Sequence, residues 1–283
     1  YGLMLCSGND AAVCLAEYAG ESIEGFADLM NQKATDLNLK STHFETPHGL
    51  DAPEHYSTAY ELALLSNYAL KNQVFSQIVG TKNYTVSING TPKELKNTNE
   101  LLGELNGIYG IKTGFTNGAN RCLVTACKRG NMDIITVVLG ADTKNKRTED
   151  SIKLIEYAFS NYERINLEEI IKKEFENWKQ INEKRIYIYK AENKNVELVL
   201  NKIENKKIPI KKGSEKDIKI EINCIYEFEA PLPKQAKVGT LIVKNKEEII
   251  EAIDIQTKEE IKKKSIINYM FQFFENLPTC LDF

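Results

Sequence analysis

The sequence has neither an excess of positive charge nor a long apolar run. Its 283 residues carry 37 Lys and Arg against 40 Asp and Glu, a formal net charge of −3. Without a surplus positive field, nucleic acid is not an expected partner. No run of about 18 apolar residues occurs, so no part of the sequence is expected to cross a membrane as a helix. The length and the 42% hydrophobic content predict a globular protein with two domains.

Metal-binding patterns are also missing. The six Cys stand at positions 6, 14, 122, 127, 224 and 280, and no two of them form a Cys-x-x-Cys pair. This spacing predicts small buried side chains, with a disulfide allowed if the protein is exported. His43, His48 and His55 share one stretch, but no carboxylate stands beside them at ligand spacing. We therefore predict structural hydrogen bonds for the three His, and no metal ion or cofactor.

A long loop interrupts a helical first part of the chain. The predicted elements are helices over 9–19 and 22–39, a helix from Tyr60 capped by Ser57 or Thr58, and a hairpin with a strand over 84–88 and the turn Asn89-Gly90. The stretch 41–60 holds all three His, two Pro and one Gly without periodicity, which predicts a structured loop. Loops of this length in a compact domain are usually functional.

The stretch 110–140 is the most strand-like part of the chain. Near-continuous apolar runs over 122–127 and 134–139 predict two strands that are covered on both faces. A helix predicted over 148–162 would pack across them through Ile152, Ile155, Ala158 and Phe159. After residue 164, a charged helical stretch leads into short, alternating, Lys-rich segments. That change of pattern predicts a small β domain.

Two short motifs carry the chemistry: Ser-Gly-Asn at 7–9 and Lys-Thr-Gly at 112–114. Ser-x-Asn alone is uninformative, since a second copy stands at 87–89 in the predicted hairpin. Lys-Thr-Gly is expected by chance only roughly a tenth of the time in such a chain, and here it directly precedes the buried strands. In a catalytic interpretation, Lys112 supplies positive charge and Thr113 forms a hydrogen bond to a carboxylate. Gly114 leaves room for a substrate backbone to approach.

Each motif also has a structural interpretation. Ser7 and Asn9 are residue types that cap helices, and the first predicted helix begins near Asp10. The Lys-Thr-Gly motif at 112–114 is equally compatible with a solvated strand end. The motifs alone therefore leave a catalytic and a structural interpretation open.

Longer blocks of sequence surround these motifs. They read SGNDAAVCLAEYAGES at 7–22, THFETPHGLDAPEHYSTAYELALLS at 42–66, GIKTGFTNGANRCLVTA at 110–126, VVLGADTKNKRTEDS at 137–151 and YEFEAPLPKQAKVGTLIV at 226–243. With them, nearly the whole chain resembles the low-molecular-weight penicillin-binding proteins, which are serine-type D-alanyl-D-alanine carboxypeptidases. The last block is similar to the β-rich C-terminal domain of that family.

The resemblance implies an α+β fold. A β-lactamase/transpeptidase-like domain with an antiparallel sheet and helices would occupy 1–164, without its N-terminal part. A β-rich domain would follow over 165–257 and an amphipathic helix over 258–283. In that last stretch, 262–277 places a Lys cluster beside an apolar helical face, as in helices that lie in a membrane interface. Packing of this face against the β domain is the alternative.

The resemblance also implies a reaction and a partner. A serine attacks the terminal peptide bond of the peptidoglycan stem pentapeptide, D-alanine leaves, and water hydrolyses the acyl-enzyme. β-Lactam antibiotics would acylate the same serine, and no cofactor is needed. Such a protein is exported by a signal peptide and acts on the outer face of the bacterial plasma membrane. No signal peptide is visible in this sequence.

Residue roles follow from the same resemblance. Ser7 would relay a proton to the leaving amine, and Asn9 would hold the substrate amide and the lysine of the family's Ser-x-x-Lys motif. Lys112 would keep the Ser7 region electropositive. The implied substrate-binding residues are Lys112, Thr113, Gly114, Phe115, whose N–H would form half of an oxyanion hole, and Arg147, which would contact the substrate carboxylate.

The chain departs from the family in one respect, because it contains no Ser-x-x-Lys. The nearest imitation, Thr-Lys-Asn-Lys at 143–146, is predicted to lie on a polar turn far from the Ser-Gly-Asn motif. In the family the serine motif precedes Ser-x-Asn, so we expect this sequence to lack an N-terminal portion and to be inactive as it stands. The alternatives are a non-catalytic wall-binding or scaffold protein, or a serine β-lactamase, in which a β domain after residue 164 is not expected.

Overall fold

The computed structural model describes residues 1–193, 196–267 and 270. The chain divides into two compact units, Tyr1–Asn161 and Tyr162–Phe283. Each unit has buried clusters built from its own residues, so each is described by itself.

Six helices belong to the first unit. They are α1 (Gly2–Cys6), α2 (Asn9–Gly20), α3 (Ile23–Asp36), α4 (Ala59–Ala69), α5 (Gln73–Val79) and α6 (Lys144–Asn161). Side-chain caps explain several starts: the Ser22 hydroxyl accepts from the Gly25 N–H at 2.9 Å, and Thr58 accepts from the Glu61 N–H at 3.2 Å. The helices predicted from apolar spacing before residue 70 are confirmed, with Thr58 as the cap of α4.

A three-stranded antiparallel sheet forms the centre of the first unit. Its strands are β3 (Ile108–Thr116), β4 (Asn120–Arg129) and β5 (Met132–Ala141), in the order β3-β4-β5. On one face, Leu123 and Cys127 pack with Ile155 of α6, and on the other Ala126 packs with Ile111 and Val79. The prediction of strands covered on both faces is confirmed for β4. Lys-Thr-Gly at 112–114 lies in β3, at one end of the strand order.

A hairpin, β1 (Asn83–Ile88) and β2 (Thr91–Lys96), precedes this sheet. Its turn residues Asn89 and Gly90 have φ of 50° and 79°, the left-handed pair that a two-residue turn between twisted strands requires. The predicted hairpin is confirmed, and the Ser-x-Asn copy at 87–89 belongs to this turn.

The second unit is β-rich. It contains β6 (Tyr162–Asn166), α7 (Leu167–Asn182), β7 (Tyr187–Tyr189), β8 (Leu198–Leu200), β9 (Lys207–Lys211), β10 (Ile218–Cys224), β11 (Glu227–Glu229), β12 (Lys237–Asn245) and β13 (Glu248–Thr257). The largest sheet has the order β10-β12-β13-β8, while β6 pairs with β9 and β7 with β11. Its core includes Leu241 and Ile255, with Ile171 and Phe175 of α7, and Trp178 packs against it. The predicted β domain is confirmed.

Two expectations about local environment are wrong. Cys6 and Cys14 are exposed and free rather than buried; Cys127 is buried, and Cys280 lies outside the described residues. Cysteine is small, so it is tolerated on the exposed face of a helix as well as on the buried face. The spacing of the cysteines therefore does not determine their burial. The stretch 143–146 is not a free polar turn, because α6 already begins at Lys144, one turn before the helix start predicted at 148.

The predicted amphipathic helix at 262–277 lies mostly outside the described residues. The described part includes Ile266, Ile267 and Met270, which are helical and exposed. Among the residues that the structure describes, we find no helix with the length and apolar content needed to cross a bilayer.

Candidate active site

A cleft of about 1530 Å³ in the first unit brings both motifs together. Ser7 and Asn9 line it from the junction of α1 and α2, and 112–116 of β3 line it from the sheet. The loop at 48–52 and the first turn of α6 complete the wall. Segments that lie far apart in the sequence therefore share one cavity.

The Ser7 hydroxyl is in direct contact with Lys112. Ser7 has φ 56° and ψ 43°, a left-handed conformation that ends α1 and directs the chain into α2. The Lys112 Nζ donates a hydrogen bond to the Ser7 Oγ and another to the Thr113 carbonyl at 2.9 Å. The N-cap of α2 is Gly8, and no side chain caps that helix. The interpretation of Ser7 and Asn9 as caps is therefore wrong, and the two motifs form one polar cluster.

Burial changes the acid–base behaviour of Lys112. Desolvation lowers the pKa of its ammonium group to about 8, with a small opposing effect from Cys6. At pH 7 the charged form still predominates by about ten to one. Lys112 is thus a cation at neutral pH that loses its proton in mildly alkaline solution, rather than the fixed charge that the sequence suggested.

The Lys-Thr-Gly strand is supported by a polar segment at 97–99, in which Asn97 and Asn99 are buried. The Thr113 hydroxyl donates to the Thr98 hydroxyl at 2.7 Å. The Asn97 side chain donates to the Thr81 carbonyl at 2.9 Å, and the Asn99 side chain donates to the Gly110 carbonyl at 3.0 Å. Sequence reasoning missed this segment, although a run of Asn-Thr-Asn before paired Leu residues is an unusual polar interruption that could have signalled it.

Arg147 is almost fully buried at the edge of the cleft, with 3% of its surface exposed. Its Nη2 lies 3.6 Å from the Glu100 Oε2, and its Nε has no hydrogen-bond partner among the described residues. Lys144 pairs with the other oxygen of Glu100. Burial lowers the pKa of Arg147 below its usual value, but arginine stays charged at any physiological pH. Lys144 and Arg147 both line the cleft that holds Ser7 and Asn9, so the prediction that 143–146 lies far from the Ser-Gly-Asn motif is wrong.

Phe115 follows the Lys-Thr-Gly motif and is half exposed in the cleft. The Arg121 guanidinium lies 3.7 Å from the centre of its ring, which is close enough for a cation–π contact. This contact holds the ring against β4. The role predicted for the Phe115 backbone N–H stays a prediction.

The three His are held within the loop at 41–58 by hydrogen bonds. The His43 Nδ1 donates to the Glu54 carbonyl at 2.7 Å. The His48 Nδ1 accepts from the Leu50 N–H at 3.2 Å. The His55 Nδ1 accepts from the N–H groups of Glu45 and Thr46 at 3.0 and 3.3 Å. The predicted structural role is confirmed by these contacts.

Acid should loosen this loop, because the His55 Nδ1 must stay unprotonated to accept two N–H groups. Burial lowers the pKa of His55, against the raising effect of Glu45 and Asp51, so the neutral form is favoured by folding. The stabilisation is complete above the unfolded pKa of about 6.5 and is lost as the pH falls below it. We expect the amides of Glu45 and Thr46 to exchange faster below about pH 6, after correction for intrinsic rates. Unchanged protection down to pH 4.5 would contradict this.

Glu61 anchors the start of the same loop. Its carboxylate is buried and accepts from the Ser41 N–H at 2.9 and 3.0 Å and from the Thr42 hydroxyl at 2.5 Å. We expect Glu61→Ala to destabilise the first unit by about 3 kcal/mol, since charged acceptors contribute most among hydrogen bonds. Urea denaturation followed through protection of the β4 amides measures this. Glu61→Gln should lower the free energy of unfolding by about half as much. Glu149→Ala, on the exposed face of α6, is the control and should leave it almost unchanged.

Comparison with known proteins gives consistent relatives. The family profile described as D-alanyl-D-alanine carboxypeptidase matches residues 1–143, and that of the Penicillin-binding protein 5 C-terminal domain matches 172–263. The D-alanyl-D-alanine carboxypeptidase DacF of Bacillus subtilis is 35% identical over 270 residues, covering 95% of this chain and 67% of that protein. DacD of Escherichia coli is 39% identical over 59% of this chain, but the chain spans only 42% of it.

Solved structures agree with these relatives. The crystal structure of penicillin-binding protein 5 from Haemophilus influenzae matches 93% of this chain and 73% of that one, with a TM-score of 0.69 and 26% identity. The predicted α+β fold, with a transpeptidase-like part followed by a β-rich part, is thereby confirmed.

Proposed function

Since this chain belongs to the D-alanyl-D-alanine carboxypeptidase family, we propose that the whole protein removes the terminal D-alanine from the peptidoglycan stem pentapeptide through an acyl-enzyme. The observation that carries the proposal is the contact between Ser7 and Lys112. It unites two motifs that stand 105 residues apart in a cleft large enough for a peptide.

The proposed chemistry divides the work among the residues of the cleft. A serine outside this sequence gives its proton to the lysine of its Ser-x-x-Lys motif and attacks the carbonyl of the D-Ala-D-Ala bond. Ser7 passes a proton to the departing amine, and water then hydrolyses the acyl-enzyme and releases the peptide. Asn9 holds the substrate amide and the lysine of the serine motif. Lys112 keeps the Ser7 hydroxyl in an electropositive environment, and the Phe115 N–H contributes one donor to the oxyanion hole.

Binding of the substrate carboxylate completes the proposal. Thr113 turns its hydroxyl proton to the carboxylate of the terminal D-alanine, and the Thr98 hydroxyl, which accepts that proton in the free cleft, then donates to Thr113. Arg147 lines the same cleft and supplies a buried positive charge that attracts an anion. Gly114 leaves the strand surface open, because a Cβ there would meet only the Cys122 side chain at 3.6 Å. β-Lactams, which also carry a carboxylate, are proposed to acylate the same site.

Several finer assignments belong to this proposal. We assign the transpeptidase-like domain to 1–164, the β-rich domain to 165–257 and a membrane-associated helix to 258–283, with 262–277 against the lipid surface. The protein would be exported and act at the outer face of the plasma membrane. The 283 residues contain no Ser-x-x-Lys, so we propose that they do not release D-alanine by themselves.

A second function, binding of the wall without catalysis, is favoured by that same missing motif. The experiment that separates the two uses the protein encoded by the complete gene, incubated with a fluorescent penicillin and with a pentapeptide ending in D-Ala-D-Ala. We expect covalent labelling and D-alanine release, both lost when the serine of a Ser-x-x-Lys motif is replaced by alanine. The 283-residue chain is the matched control. If the whole protein is not labelled and releases no D-alanine, the carboxypeptidase proposal fails and binding of the wall is the function that is left.

A further inference from the structure

One carboxylate ties the long loop to the tip of the catalytic strand. Asp51 lies in the loop at 41–58, and its Oδ2 accepts from the Gly118 N–H at 3.1 Å. The Thr116 hydroxyl hydrogen-bonds the same carboxylate, and these two bonds hold the pKa of Asp51 below its usual value. All three residues line the cleft. The loop and the turn between β3 and β4 therefore meet across it.

The turn is shaped to receive this carboxylate. A Cβ built on Gly118 would stand 3.0 Å from the Asp51 Oδ1 and 3.2 Å from its Cγ, so a larger residue would displace the Asp51 carboxylate from the Gly118 N–H. Thr116 also accepts from the Ala119 N–H at 2.9 Å, which closes the turn on itself. Asp51 thus accepts two of the hydrogen bonds that hold the turn, and the bond between Thr116 and Ala119 is the third.

The other side of the loop is anchored to a helix. The Asn31 side chain of α3 both donates to the Phe44 carbonyl and accepts from the Phe44 N–H, each at 2.8 Å. Thr46 donates to the Leu50 carbonyl at 3.2 Å, one residue before Asp51. Hydrogen bonds at Phe44, Thr46 and Asp51 therefore hold the loop at successive points between α3 and the turn after β3.

From this geometry we propose that Asp51 is a positioning residue, which fixes the turn at 116–119 and so sets the backbone of Phe115 beside the reacting carbonyl. The proposal rests on the proposed function. The Phe115 N–H lies one residue before the contact with Thr116. A displacement of about 1 Å in a donor that acts on the transition state costs on the order of a hundredfold in rate. Asp51 does not touch the substrate in this role.

The test measures D-alanine release by the whole protein with Asp51→Ala. We expect kcat to fall about tenfold to a hundredfold with KM changed by less than about threefold, because the misplaced N–H acts on the transition state and not on ground-state binding. Asp51→Asn keeps an acceptor for the Gly118 N–H, so its kcat should fall less than that of Asp51→Ala. Gly118→Ala crowds the Asp51 carboxylate from the other side of the contact and should lower kcat less than Asp51→Ala does.

Glu45→Ala is the matched control. Its carboxylate accepts from the Glu54 N–H at 2.9 Å within the same loop and does not line the cleft. We expect kcat to stay within about twofold of the unchanged protein. An equal loss in Glu45→Ala and Asp51→Ala would overturn the proposal, because it would assign the effect to general weakening of the loop.

A second measurement is independent of catalysis. In the 283-residue chain, Asp51→Ala should speed hydrogen exchange of the Gly118 amide about tenfold or more and leave amides of the second unit, such as Leu241, unchanged. If the whole protein neither labels nor releases D-alanine, the proposed function fails while this exchange result still decides whether the contact exists. Unchanged exchange at Gly118, or unchanged kcat in an active protein, overturns the positioning role.

Discussion

Replacing Lys112 by alanine in the whole protein is expected to lower kcat/KM for D-alanine release by about a hundredfold to a thousandfold. The side chain supplies the charge beside the Ser7 hydroxyl. Removal of one such preorganised donor typically lowers the rate by about a hundredfold to a thousandfold. Penicillin labelling should slow by a similar factor, since acylation uses the same groups. Lys128→Ala, an exposed position on β4 outside the cleft, is the control and should change neither rate.

The same lysine predicts a pH dependence with a definite sign. With a pKa of about 8, Lys112 is charged below that pH and neutral above it. KM for a peptide with a free carboxylate should therefore be flat below about pH 7 and rise as the pH passes 8. Lys112→Arg keeps its charge to much higher pH and should remove this rise, whatever its effect on kcat. A profile that is identical in both proteins would show that another group is titrating.

The second large effect is expected at Arg147. Arg147→Met should raise KM for a peptide acid about tenfold to a hundredfold, the range lost with a charge-assisted hydrogen bond, and should leave KM for the matching peptide amide nearly unchanged. The preference for the acid would then disappear. Measuring both peptides separates recognition of the carboxylate from general damage to the cleft.

Stability provides the control for Arg147→Met. The guanidinium is buried with an unpartnered Nε, while Glu100 is nearly half exposed and keeps Lys144 as a partner. Replacing such a buried charge by an apolar side chain of similar size is often neutral or stabilising. We expect the free energy of unfolding of the first unit to change by less than about 1 kcal/mol. A loss of several kcal/mol would assign Arg147 a structural role instead.

Features that depend on neighbours in the sequence were predictable. The hairpin at Asn89-Gly90 needs only a left-handed pair between two strands, and the cap of α4 needs only a hydroxyl three residues before the Glu61 N–H. The change to alternating segments after residue 164 likewise identified the β-rich unit. In each case the local chemistry determines the local backbone.

Contacts between distant segments were beyond such reasoning. Ser7 and Lys112 stand 105 residues apart, and nothing in either motif specifies that α1 ends beside β3. The contact between Asp51 and Gly118 depends on how the long loop folds back. Lys144 was misplaced because a helix whose first turn is entirely polar looks like a turn until its packing is known. The family resemblance supplied what local patterns lacked.

The position of Trp178 determines which unit intrinsic tryptophan fluorescence reports. It is the only tryptophan of the sequence, and it packs with Phe175 in the core of the second unit. The first unit buries its own clusters and contains no tryptophan, so its intrinsic fluorescence comes from tyrosine, which is weaker and lies at shorter wavelength. Tryptophan emission during denaturation will therefore report the unfolding of the β-rich unit. It will not report the unfolding of the first unit, which contains the cleft. Two units with separate cores can also melt at different denaturant concentrations, so a single fluorescence midpoint does not describe the stability of the site.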